Sequence, residues 1–168
     1  CPKCDHVDSS YVIKVQTVLN DLGYTEGTRC ISEKKFEGME HILELKCDKY
    51  IPELNLVIEI DGEFHFKNKS SLTRSESLKI RQERDIIKDI YTINNKINLC
   101  RIPYNIRDLE EIREILEYVI NICKTGRHTY VSYKHYRDLI EKHPNLNKTS
   151  DLEDVLILLI KSPKVVNI

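Results

Sequence analysis

Residues 56–66, Leu-Val-Ile-Glu-Ile-Asp-Gly-Glu-Phe-His-Phe, constrain the chain more than any other stretch. The run opens on Leu56, Val57 and Ile58 and meets a glycine at Gly62. A short apolar run bounded by turn residues reads as a buried strand. Glu59 and Asp61 sit inside it at i, i+2, on one face. Ionised carboxylates are costly in such a place unless a cation offsets them. Whatever packs on that face therefore has to bring positive charge.

The flanking sequence supplies a frame. Residues 9–22 carry Tyr11, Val12, Val15, Val18, Leu19 and Leu22 on one helical face, and Gly23 stops the pattern. Residues 24–41 are polar and mixed. Residues 42–51 read as a strand, with Leu43, Leu45 and Cys47 on one face and Glu44, Lys46 and Asp48 on the other. The linker 52–55 is short enough for antiparallel pairing with 56–61. That pairing brings Asp48 near Glu59 or Asp61, at about 5 Å between Cβ atoms.

A helix is expected over 78–94, with an apolar stripe of Ile80, Ile87, Ile90 and Tyr91. Arg81, Arg84, Asp85 and Lys88 form a charged stripe beside it. A strand follows at 97–102, closed by Pro103, and an amphipathic helix at 108–123. The remainder reads as a C-terminal helical appendage, residues 127–168. It holds a tyrosine-rich stretch (Tyr130, Tyr133, Tyr136) and a short helix at 134–142. His143-Pro144-Asn145 breaks that helix. A second helix follows, with Ser150 and Glu153 as its capping box and Leu152, Val155, Leu156, Leu159 and Ile160 as its face. The fold class is α/β (α+β): a small mixed sheet flanked by helices over residues 9–126, plus the appendage.

Composition sets outer limits. The chain has 168 residues, 40% hydrophobic and 32% charged, which suits one globular domain with a core. A net charge of −1 argues neither for nor against nucleic acid. No apolar run approaches the roughly 20 residues that span a bilayer, so no membrane partner is expected. Cys30, Cys47, Cys100 and Cys123 lie beside apolar residues without pair spacing and read as reduced core thiols of an intracellular protein. Cys1-Pro2-Lys3-Cys4 has the spacing of half a tetrahedral Zn²⁺ site. Its other ligands are expected upstream, in a longer chain, so residues 1–8 read as a zinc-ribbon remnant; a terminal turn is the alternative. Abundant Ile, Asn, Lys and Tyr with no Trp suggest an AT-rich source genome.

Asp48, Glu59 and Asp61 form a hard-oxygen set, the kind that selects Mg²⁺, Mn²⁺ or Ca²⁺. His65 lies just past the strand, placed to act as general base or to hold a water. Residues 64–82 turn basic through Lys67, Lys69, Arg74, Lys79 and Arg81, against the single acid Glu76 after Phe66. Such a run offers phosphate contacts. Together these features fit hydrolysis of a nucleic-acid backbone. Each also has a plainer reading: a solvent-facing strand edge for the acids, a structural histidine, a solvated loop, and helix ion pairs for Asp85 with Arg81 and Lys88.

Four blocks carry a family resemblance: Leu45-Lys46-Cys47-Asp48-Lys49-Tyr50-Ile51-Pro52, residues 56–66, Arg84-Asp85-x-x-Lys88, and Ile97-Asn98-Leu99-Cys100-Arg101-Ile102-Pro103-Tyr104. Over residues 30–122 the chain resembles the PD-(D/E)XK nuclease superfamily. The branch is that of very-short-patch-repair endonucleases and phage homing endonucleases with an E-D-x-H-D site. The resemblance implies a restriction-endonuclease-like core and Mg²⁺- or Mn²⁺-dependent DNA cleavage by a viral or phage-type enzyme. It implies that Asp48 is the central metal ligand, that Glu59 and Asp61 flank the metal, and that His65 is the base or water-positioning group. Glu33 is the acid from the preceding element, with Glu37 and Glu40 as competitors, and Asp85 is the acid from the helix. Lys88 and Arg84 meet the scissile phosphate. The family's lysine two residues after the motif acid is Asp61 here; Lys88 from the helix, or His65, is expected in its place. The alternative to cleavage is a DNA-binding or interaction module with a nuclease fold inside a larger protein.

Overall fold

The computed structural model describes residues 9–67, 78–142 and 156–159. The elements are α1 (Ser9–Asp21), β1 (Ile31–Glu40), β2 (Glu44–Ile51), β3 (Leu56–Asp61), α2 (Leu78–Asn94), β4 (Asn98–Pro103), α3 (Leu109–Lys124), β5 (Thr129–Ser132), α4 (Lys134–Ile140) and β6 (Leu156–Leu159). Among the described residues, six strands form one sheet in the order β1-β2-β3-β4-β5-β6. The pairs β1/β2 and β2/β3 are antiparallel, and the pairs from β3 to β6 are parallel. This is the mixed α/β architecture expected from the sequence.

Alternation along β3 and β4 sends side chains to two helical layers. Ile58, Ile60, Cys100 and Ile102 pack with Tyr11, Val15, Val18 and Leu19 of α1 and with Leu116, Val119 and Ile120 of α3. Val57 and Leu99 pack on the other face with Ile86, Ile90 and Ile93 of α2, and with Ile140 of α4. α1 ends where Gly23 takes a φ of +87°, a conformation that suits glycine. Asp108 caps α3 by accepting from the amides of Glu110 and Glu111. β2 turns into β3 through one short turn at Pro52–Leu54, which closes on Asn55 at φ 45°. That tight turn fixes the register Lys49↔Ile58.

Three expectations change. Residues 31–40, read from the sequence only as polar and mixed, are a strand: β1 is the sheet edge, paired with β2 from Ile31↔Tyr50 to Glu40↔Glu44. Its Lys/Glu-rich sequence buries Met39 alone, so no apolar alternation marks it. The second strand starts at Glu44, leaving Ile42 and Leu43 outside it and 80% and 76% exposed. The C-terminal region is not a helical appendage. β5 and β6 extend the parallel part of the sheet, and the 134–142 helix appears as α4. Leu156-Ile157-Leu158-Leu159 is a strand where a helical face was expected, because a short apolar run satisfies either pattern. The capping-box pair Ser150 and Glu153 lies outside the described residues.

Ile58 sits at the centre of the larger core with no exposed surface. Replacing it with Ala is expected to cost about 2–5 kcal/mol in urea unfolding followed by circular dichroism. Leu43→Ala should stay within about 0.5 kcal/mol.

Candidate functional site

Glu59 and Asp61 both point toward α2, and the cations demanded by their burial are present. Lys88 of α2 donates to Glu59 Oε2 at 2.7 Å. Arg101 of β4, fully buried, donates through Nη1 to Asp61 Oδ1 at 2.7 Å. The same guanidinium reaches Asp89 Oδ1 through Nε at 2.8 Å and the Asp85 carbonyl through Nη2 at 3.1 Å. Of the charged stripe, Arg81 and Asp85 are buried, as is Asp89 one turn on, while Arg84 and Lys88 are half-buried.

The tyrosine-rich stretch closes this cluster from the far side. Tyr130 donates to Asp89 Oδ2 at 2.7 Å, Tyr133 to Asp61 Oδ2 at 2.6 Å, and Tyr136 to Asp85 Oδ2 at 2.6 Å. The Arg101 guanidinium also lies 5.1 Å from the centre of the Tyr136 ring. Ser132 adds a longer contact to Asp89 Oδ2 at 3.4 Å.

His65 follows β3 by one short helical turn, Glu63–His65. Its Nδ1 lies 2.7 Å from Asp85 Oδ2 and 3.5 Å from Asp61 Oδ1. Burial opposes the charged ring, but Asp85 and Asp61 outweigh it and raise the imidazole to about 9. Asp85 is held well below the usual carboxylate range: burial opposes this, and His65 and Arg101 overcome it. The two carboxylates thus favour the imidazolium form of His65. Its Nε2 is the nitrogen left to meet a substrate.

Asp48 belongs to the other half of the site. The β2/β3 ladder ends at Lys49↔Ile58, and one further step puts Asp48 opposite Glu59. The Ile60 amide donates to Asp48 Oδ2 at 2.6 Å. Burial and the Glu59 carboxylate push the Asp48 carboxyl up to about 7. Among the described residues, the buried Glu59 Oε1 has no hydrogen-bond partner.

The sequence-derived residues thus divide. Asp48, Glu59 and Lys88 form one group. Asp61, His65 and Asp85 form another, with one ligand atom from each lying within 4.8 Å of the others, close enough to share a metal ion. Glu33 is not among them: it is an exposed β1 residue paired with Lys46 at 2.8 Å. Arg81 is buried and donates to the Phe64 carbonyl at 2.8 Å and the Lys67 carbonyl at 3.2 Å. It pins the His65 turn, so it is corrected from a phosphate contact to a structural residue. Lys67 is paired with Glu63 at 2.7 Å, and Lys79 lies near Glu83 at 4.0 Å on an exposed part of α2. Arg84 is half-buried on the same helix. Lys69, Arg74, Cys1 and Cys4 lie outside the described residues.

Sequence reasoning missed Asp89, Arg101, Tyr130, Tyr133 and Tyr136. Arg101 carried the same signal as Glu59, a charge inside an apolar strand. The tyrosines carried a regular spacing of three. Compared with protein-family models, curated proteins and solved structures, the chain matches none.

The His65–Asp85 pair sets a pH dependence. An imidazole raised from 6.5 to about 9 contributes stability fully below pH 6.5 and loses it as pH rises through about 9. Unfolding free energy should fall between pH 7 and pH 9, and His65→Gln should flatten that slope. Proton NMR of the His65 ring should show it still largely charged at pH 8.

Proposed function

We propose that this chain is a Mg²⁺- or Mn²⁺-dependent DNA endonuclease that hydrolyses phosphodiester bonds. The observation that carries this reading is the buried Glu59 carboxylate, whose Oε1 has no nitrogen or oxygen donor among the described residues, beside an Asp48 carboxyl raised by burial and by that same charge. Buried polar atoms are almost always satisfied, so an orphan beside a second acid marks a place for a cation. The charge balance supports it. Asp48, Glu59, Asp61, Asp85 and Asp89 outnumber Lys88, Arg101 and the charged His65, and burial resists ionisation of Asp48 and Asp89 without a further cation. The donor set is all oxygen, the type Mg²⁺ and Mn²⁺ prefer.

Asp48 and Glu59 would hold the ion, with Asp61 beside them. A divalent cation there would neutralise phosphate charge and make a water easier to deprotonate. The chain's own residues do the rest. Lys88, locked on Glu59, takes the place of the family's strand lysine from the helix and brings a cation to the scissile phosphate. His65, charged and braced by Asp85, suits protonation of the leaving oxygen.

The internal pairing of Asp61, Asp85 and Asp89 favours a second reading, a non-cleaving DNA-binding or interaction module. DNA retardation that persists in EDTA, without cleavage under any divalent ion, would support it.

Asp48→Asn should reduce plasmid nicking by at least about a hundredfold, the rate equivalent of several kcal/mol from the metal. Mg²⁺ should raise the Tm of the wild type more at pH 8 than at pH 5. Burial makes Asp48 ionisation costly as pH rises through about 7, and the cation offsets that cost. Undiminished nicking by Asp48→Asn would sink the reading.

A further inference from the structure

We propose that Tyr133 and Tyr136 are positioning residues that keep the Asp61 and Asp85 carboxylates turned toward the cation and phosphate site. The inference rests on the metal-dependent reading above and assigns that site a part of the chain that lies beyond the family-like blocks.

The geometry behind it concerns competition for Arg101. A guanidinium prefers to grip a carboxylate through two parallel hydrogen bonds. Arg101 holds Asp61 through Oδ1 at 2.7 Å, while Asp61 Oδ2 is taken by the Tyr133 hydroxyl at 2.6 Å. Tyr133 thus blocks the rotation that would let Asp61 collapse onto Arg101 with both oxygens. A carboxylate has about four acceptor positions, so two such bonds leave room for a cation. Asp85 is in a similar position. Its Oδ1 lies 3.7 Å from Arg101 Nη1, while Oδ2 accepts from Tyr136 at 2.6 Å and contacts His65 at 2.7 Å. Tyr136 keeps Asp85 on His65 rather than on Arg101.

Both phenols are themselves fixed. Tyr133 and Tyr136 are fully buried, with ring centroids 5.4 Å apart, and Phe66 packs on Tyr133 at 5.3 Å. Phe66 follows His65 directly in the chain. The aromatic group therefore braces the His65 turn as well as the two acids. Hydrogen-bond partners behind metal ligands commonly change affinity or activity by about 10–100-fold when removed.

Tyr130 supplies an internal comparison. It gives an equally buried hydroxyl to Asp89, at 2.7 Å, and Asp89 is also held by Arg101 at 2.7 Å, but Asp89 is not among the three residues close enough to share an ion. A purely structural role predicts that all three Tyr→Phe changes behave alike.

The test is Tyr133→Phe, Tyr136→Phe and Tyr130→Phe in the full chain. Mn²⁺ binding is read without DNA, from the electron paramagnetic resonance of free Mn²⁺, and plasmid cleavage is measured separately. Tyr133→Phe should weaken Mn²⁺ binding by about 10–100-fold. Tyr136→Phe should lower kcat by a similar factor with the KM for DNA unchanged. Tyr130→Phe should leave Mn²⁺ affinity within about twofold despite a comparable loss of thermal stability. Wild-type affinity in Tyr133→Phe with wild-type kcat in Tyr136→Phe overturns the inference. So do equal losses in all three variants, and so does a wild type that takes up no Mn²⁺. A wild type that binds Mn²⁺ in a Tyr133-dependent way without cutting DNA overturns the endonuclease reading alone.

Discussion

The guanidinium of Arg101 is the interaction on which the interior depends. It has no exposed surface, and it joins three elements by bonding Asp61 of β3 and Asp89 and the Asp85 carbonyl of α2 from its own place on β4. A buried charge without partners costs several kcal/mol, so neither the cation nor its acids are tolerable alone. Each acid then receives one tyrosine hydroxyl, and the network reaches β5 and α4. The central sheet is thus tied to the α2/α4 layer by charge near its carboxyl end and by Val57, Leu99 and the α2 isoleucines further back.

The two halves of the site differ in how complete they are. Around Arg101 the acids Asp61, Asp85 and Asp89 all have protein partners. Around Asp48 and Glu59 the protein supplies one lysine for two carboxylates, and one buried oxygen has no hydrogen-bond partner among the described residues. Under the metal-dependent reading proposed above, the finished part would hold positions and the unfinished part would retain affinity for the ion.

Much of this was legible before any coordinates. β3 announced itself as a greasy run with two acids, and those acids required the cations that Lys88 and Arg101 provide. The α2 boundaries and the α1 face followed from helical spacing and a glycine stop. β1 stayed hidden because an edge strand with one buried side chain leaves no alternation to read. β6 was taken for a helix because four consecutive apolar residues satisfy both periods. Arg81 misled because charge in a basic stretch suggests solvent, whereas here it holds two backbone carbonyls. The tyrosines went unassigned because their partners lie far away in sequence, and no local pattern records a distant hydrogen bond.

That distance bears on how the protein comes into being. A chain emerges from the ribosome from its N-terminus, and β3 and α2 are complete well before the residues that finish their bonding. Tyr133 and Tyr136 meet Asp61 and Asp85 across 72 and 51 residues of sequence. A nascent chain that ends before them carries Asp48, Glu59, Asp61 and His65 but lacks the hydroxyls that orient two of the acids. A product truncated before Tyr133 therefore keeps these acids but loses two of the hydrogen bonds that hold them.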